Sequence, residues 1–248
     1  MPTGDAFKDH FSCQAAEYER YRPGYPSALF EFLAGLAPRH ERALDVATGN
    51  GQAALGLAGH FEEVHATEPS ATQLREARPH ARVTYRREAA EAIGSPGGHY
   101  DLVTAAQAAH WFDWTRFYPE VRRVLRPHGV LALWTYELFR AGGSVDRVVD
   151  DFYRDVVGPY WPRERRHVEE RYASLPFPFA ELVAPDFQLV THWTCDTALR
   201  YLGTWSAVQR YREIRRRDPL ELVEPALRDA WGGGEMRLAW PIHLRIGR

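Results

Sequence analysis

Between residues 42 and 136 short apolar runs recur at helix-length intervals, at 43–47, 64–67, 83–86, 101–105 and 130–135. Strands separated by helical segments require right-handed crossovers, so this stretch predicts a mostly parallel sheet with helices on both faces. Ahead of it, Pro26 and Ser27 open an apolar helical segment that Gly35 and Pro38 close, and residues 1–40 read as a helical cover. Residues 140–185 carry aromatics and arginines but no clear strand. Such a length exceeds an ordinary connection and reads as an inserted helical lid over a 41–139 core.

Residues 186–248 add a strand at 187–193, helical segments from Thr197 through Trp231, and a closing strand at 236–246. In the last, Met236, Leu238, Trp240, Ile242, Leu244 and Ile246 alternate with polar or small residues, the period of a strand with one buried face. With Gly232-Gly233-Gly234 as the turn before it, the two strands read as a late hairpin. The expectation is one α/β domain over residues 1–248: a doubly wound, seven-stranded, Rossmann-like sheet with an antiparallel last strand.

Composition narrows the class. Of the 248 residues 45% are hydrophobic and 26% charged, and no stretch approaches the ~18 uninterrupted apolar residues of a membrane-spanning helix. Thirty-one basic against 33 acidic residues leave a net charge of −2, with Lys8 the only lysine. That balance gives no pull toward nucleic acid or anionic membrane. Cys13 and Cys195 are far apart and form no Cys-x-x-Cys pair, which argues against a disulfide framework or a zinc cluster. With no basic-then-apolar leader at the start, a cytoplasmic location is expected.

The chemistry centres on Thr48-Gly49-Asn50-Gly51, which joins the first strand to a helix beginning at Gln52. Glycines there let backbone approach a ligand closely, and the helix start presents free N–H groups. Glu68 ends the second strand, where a carboxylate accepts hydrogen bonds from both hydroxyls of a ribose. An adenosine derivative is the expected ligand. A nicotinamide dinucleotide satisfies this pattern as well, which leaves an oxidoreductase, or a cofactor-binding protein without catalysis, as alternatives.

The run Leu44-Asp45-Val46-Ala47-Thr48-Gly49-Asn50-Gly51-Gln52 resembles the first motif of class I methyltransferases that use S-adenosylmethionine. Ala66-Thr67-Glu68-Pro69-Ser70, Ala89-Ala90-Glu91, the stretch from Gln107 to Asp113, and Arg126-Pro127-His128-Gly129 agree with it. Within the class the chain is most similar to small-molecule enzymes of the trans-aconitate methyltransferase-like group, whose N-terminal signature resembles Tyr18-x-x-Tyr21-Arg22-Pro23. Trp161-x-x-x-Arg165 and Thr204-Trp205-Ser206 fit the same group. The departure is Ala47, where the family carries the first glycine of the turn.

The resemblance implies S-adenosylmethionine as cofactor, S-adenosylhomocysteine as product and no metal. Asp45, Ala47, Thr48, Gly49, Gly51 and Gln52 would border the methionine part, and Glu68 would take the ribose. Pro69 and Ser70 would flank the adenosine, Ala90 and Glu91 would line the adenine edge, and Gln107 would close the pocket. Tyr21 and Arg22 would reach the cofactor from the N-terminal arm. His110, just past the fourth strand, is the best-placed titrating group to orient or deprotonate an acceptor. Tyr18, Trp111, Tyr136, Trp161 and Arg166 are the candidate contacts for a small-molecule acceptor, a carboxylate or a hydroxyl. A nucleic-acid acceptor is not expected, since no Asn-Pro-Pro-Tyr type motif follows the fourth strand.

Overall fold

The computed structural model describes residues 23–248. Helix α1 (Ser27–Leu36) leads into strand β1 (Arg42–Val46), followed by α2 (Gln52–Leu57), β2 (Glu63–Thr67), α3 (Ala71–Arg75), β3 (Val83–Arg86) and β4 (Tyr100–Ala106). A 3-10 turn (Ala109–Trp111), α4 (Trp114–Val124) and β5 (Leu125–Tyr136) complete the parallel part. The seven strands lie in the order β3-β2-β1-β4-β5-β7-β6, where β6 is Phe187–Trp193 and β7 is Met236–Gly247. Pairing is parallel from β3 through β5, and β7 runs antiparallel to both β5 and β6.

Successive residues along the central strands point to opposite faces and feed two cores. Ala43, Leu102, Ala132 and Trp134 join α1 and α2 on one side, and Leu44, Val46, Val103 and Leu133 join α4 on the other. The N-terminal ends of three strands are tied by fully buried Asp101, whose carboxylate accepts from the Glu41 and Arg42 N–H groups and from the Arg126 guanidinium.

Helices α5 (Gly143–Asp151) and α6 (Arg165–Glu169) occupy the inserted stretch, joined by a π-helical turn (Phe152–Val156) and a 3-10 turn (Gly158–Tyr160). They share the cover with α7 (Cys195–Gly203), α8 (Ser206–Arg215) and α9 (Leu220–Trp231): α5 packs on α9, and α8 on the Gly158–Tyr160 turn. The last two strands pair antiparallel as hairpin partners do, but three helices separate them, and Gly232 and Gly234, both at positive φ, end α9 instead of turning a hairpin.

Strand order reverses between β1 and β4, and ligands of doubly wound sheets bind at that switch, outside the carboxyl ends of the strands. The sheet places the β1–α2 turn, Glu68 after β2, Gln107 after β4 and Tyr136 at the end of β5 along this one edge.

Candidate active site

The β1–α2 turn is built from left-handed backbone. Ala47, Gly49 and Gly51 have φ of 52°, 60° and 91°. Glycine adopts such angles freely, whereas a β-carbon there costs about 1–2 kcal/mol. Ala47 therefore carries strain that the family's glycine avoids. Gln107, just past the end of β4, also has positive φ, 55°, so both lips of the crevice are strained. At Gly51 a β-carbon would lie 2.3 Å from the Tyr85 hydroxyl, and glycine is required there twice over.

Below the turn Asp45 is fully buried and accepts from the hydroxyls of Thr48 at 2.5 Å and Thr104 at 2.7 Å. Burial pushes its pKa up to about 6 against the pull of those hydrogen bonds, and Glu68 raises it further. Glu68 is buried at the next strand end. One carboxylate oxygen accepts the Gly49 N–H at 3.0 Å and the other the Ser70 N–H at 2.9 Å. An ionised carboxylate has about four acceptor sites, and these two bonds fix how the group is aimed. Beside it, the Thr67 hydroxyl is buried without a hydrogen-bond partner among the described residues, an arrangement that suits a bound polar ligand.

Ser70 caps α3 by accepting the Gln73 N–H, and Pro69 gives its carbonyl to Arg87. Ala90 is buried, and Glu91 accepts the Asp113 N–H at 2.9 Å, which clips the loop before β4 to the start of α4. Gln107 donates its amide to the Tyr136 carbonyl at 2.9 Å and accepts the Thr135 hydroxyl at 2.7 Å, bracing β4 against β5. Tyr18, Tyr21 and Arg22 lie outside the described residues.

Beyond Gln107 a cavity opens between the strand ends and the cover, walled by His110, Trp111 and Tyr136 from the sheet side and Trp161, Arg165 and Trp205 from the cover. Four of the sequence candidates, His110, Trp111, Tyr136 and Trp161, thus meet in one space with Gln107. Arg166 does not join them: it is exposed, while Arg165, one residue earlier, lines the cavity. On a helix one residue is a rotation of about 100°, enough to exchange the solvent face for the inner one. Arg165 sits 4.6 Å over the Trp161 ring and donates Nε to the Tyr153 hydroxyl at 2.9 Å. The Trp161 indole N–H is buried without a partner among the described residues.

His110 Nδ1 and the Tyr172 hydroxyl share a hydrogen bond of 2.9 Å. Burial, with Arg165 and then His167 nearby, pushes the imidazole pKa down to about 3, so the ring is neutral at any working pH. Sequence reasoning missed Tyr172, because nothing in its neighbourhood signals a site. Arg165 had a signal in its spacing of four from Trp161. Among the described residues no group of three or more His, Cys, Asp or Glu side chains converges to hold a metal, and no helix is long and apolar enough to cross a membrane.

A methyltransferase domain family matches residues 44–133, from β1 through most of β5. A Dictyostelium discoideum protein named as a methyltransferase is 31% identical over 93% of this chain and 89% of its own length. The chain belongs to the class I methyltransferase family. A solved structure from Anaeromyxobacter dehalogenans, titled as a type II methyltransferase, is 50% identical with a TM-score of 0.87, covering 92% of this chain and 98% of that one. A Mycobacterium tuberculosis protein named as an uncharacterized methyltransferase is 33% identical over 73% of this methyltransferase and 78% of its own chain.

Proposed function

We propose that this methyltransferase transfers the methyl group of S-adenosylmethionine to a small-molecule acceptor, a carboxylate or hydroxyl, held in the cavity between the strand ends and the helical cover. The observation that carries this reading is the pairing of Gly49 and Glu68: a backbone turn open to close approach, answered by a buried carboxylate already aimed by two N–H groups. Asp45 and the Ala47–Gly51 turn would border the methionine part, Glu68 would hold the ribose, and Pro69, Ser70, Ala90 and Glu91 would surround the adenosine. The cofactor supplies an activated methyl on a sulfonium. The protein's part is then alignment and exclusion of water, and alignment alone is worth up to ~7–11 kcal/mol in intramolecular analogues.

The cavity's donors favour an acid acceptor. The Arg165 guanidinium, stacked on Trp161, and the Trp161 N–H, unpartnered among the described residues, both suit a carboxylate. Aromatic walls from Trp111, Tyr136 and Trp205 favour an apolar body attached to it. Screening small organic acids against the pure protein for release of S-adenosylhomocysteine tests the reading. Turnover of at least one acid is expected, and its absence across acids that bind would refute the acceptor class. We place the protein in the cytoplasm, with no nucleic-acid or membrane partner.

A further inference from the structure

We propose that Tyr153 is a positioning residue: with Glu169 behind it, it takes the Nε edge of Arg165, so that the guanidinium presents its Nη1–Nη2 edge to the cavity as an end-on seat for the carboxylate of an acceptor. The inference rests on the methyl-transfer reading of this site and specifies how its cationic wall is held.

Spacing within α6 sets the problem. Arg165 and Glu169 lie four residues apart, neighbours on one helix face that ordinarily pair with each other. Glu224 and Arg228 of α9, at the same spacing, do so at 2.8 Å. Arg165 and Glu169 are joined instead through the Tyr153 hydroxyl, which accepts the Arg165 Nε–H at 2.9 Å and donates to Glu169 Oε1 at 2.5 Å. A guanidinium only donates and a carboxylate only accepts, so the direction of both bonds is fixed. Burial raises the Tyr153 pKa against the pull of the Arg165 charge, and the bond to Glu169 raises it further, so the phenol keeps its proton.

A guanidinium offers a carboxylate two forks, Nε–H with the adjacent Nη–H on one edge and the two Nη groups at its end. Tyr153 occupies the first. Among the described residues Nη1 and Nη2 have no hydrogen-bond or ion-pair partner, and Arg165 lines the cavity. The acidic residue of the cavity wall, Glu137, is already paired with Arg171 at 3.0 Å and His243 at 3.2 Å. The Arg165 charge is thus left for a ligand, and it is felt on the sheet side at His110, where it opposes an imidazolium.

Packing holds the arrangement in place. Tyr153 belongs to the π-helical turn Phe152–Val156, an irregularity that takes side chains off the ordinary helical period and is frequent at functional sites. Its ring lies 5.1 Å from that of Trp161 and 5.8 Å from that of Trp205, both cavity walls. The Arg165 guanidinium sits 5.5 Å over Tyr153 and 4.6 Å over Trp161, so stacking and the Nε bond together leave it little freedom to swing. Tyr153 stands behind the wall and acts on an acceptor through Arg165.

Calorimetry of the full-length protein saturated with S-adenosylhomocysteine tests this with two probes of one shape, phenylacetate and its neutral counterpart phenylacetamide. The unsubstituted protein should bind the acid roughly 10-fold or more tightly than the amide, the difference expected of a charge-assisted contact. Tyr153→Phe keeps the ring and should lose most of that preference through weaker binding of the acid, with the amide and S-adenosylhomocysteine bound as before. A preference that survives in Tyr153→Phe, or an equal loss for acid and amide, would overturn the proposal. So would failure of phenylacetate to bind the unsubstituted protein. If Tyr153→Phe does not fold, a crystal structure of the unsubstituted protein with phenylacetate and S-adenosylhomocysteine decides: the carboxylate should meet Nη1 and Nη2, and a carboxylate on the Nε edge, or none at Arg165, would overturn it. Failure of the methyl-transfer reading looks different: no binding of S-adenosylhomocysteine, whichever edge Arg165 presents.

Discussion

Glu68 and Asp45 are both buried carboxylates beside the same turn, yet their environments give them different work. Glu68 is aimed by two backbone N–H groups, and a carboxylate so held gives charge-assisted bonds to a diol. Glu68→Gln keeps the shape and removes the charge. Hydrogen bonds to charged groups are worth about 1.5–3 kcal/mol, so calorimetry should find S-adenosylhomocysteine bound roughly 10- to 100-fold more weakly; unchanged affinity would remove Glu68 from the cofactor site. Asp45 has a folded pKa of about 6 against an ordinary 3.8, so the folded state holds its proton more tightly than the unfolded chain. The stability this gives is complete below about pH 4 and is lost as pH rises through about 6, a change on the order of 3 kcal/mol. Denaturant midpoints should fall over that interval in the unsubstituted protein, and Asp45→Asn should abolish that component of the slope. Gly51→Ala meets both a left-handed φ and the Tyr85 hydroxyl, and should lower stability by about 1–3 kcal/mol. Ala47→Gly, by contrast, should be neutral or stabilising, since it releases the strain of a β-carbon there. Thermal unfolding of both variants separates the two positions.

Elements carry these residues to their places, and here the sequence was readable unevenly. Runs of Val, Leu and Ala bounded by glycine turns have one favourable use, a buried parallel strand, and β1 through β5 emerged within a few residues of their expected bounds except that β5 begins earlier, at Leu125. The motif after β1 was equally legible, because only a close-approach turn uses Gly49 and Gly51 in that setting. The cover was not. Its aromatics and arginines lack a clean period, and their burial depends on which helix meets which, as when α5 settles on α9 some 70 residues later. Hence the sequence singled out Arg166, although Arg165 is the one that faces the cavity. Arg165→Met should raise the acceptor KM at least ~10-fold, the loss expected of one charge-assisted contact, without altering cofactor affinity. Equal loss in Arg166→Met would show that the effect is general charge and not contact.

The whole molecule combines a braced sheet with a crevice whose lips are strained. At the sheet's base Asp101 holds β1, β4 and β5 together through Arg126. Arg126→Met strips the guanidinium from a fully buried carboxylate and should cost about 3 kcal/mol in chemical denaturation. That end lies opposite the crevice, so S-adenosylhomocysteine affinity of the folded variant should not move. At the other end, the methyl donor and the acceptor must meet where β4 and β5 open toward Trp161 and Arg165. The positions of Tyr18, Tyr21 and Arg22 relative to that opening fall outside the described residues, and their roles rest on resemblance alone. The most direct measurement is a crystal structure of the protein soaked with S-adenosylhomocysteine. The account predicts density along the β1–α2 turn, with both ribose hydroxyls within hydrogen-bond distance of Glu68 and the sulfur directed toward the cavity of His110 and Arg165. A vacant crevice under saturating ligand, or a nucleoside bound away from Glu68, would contradict it.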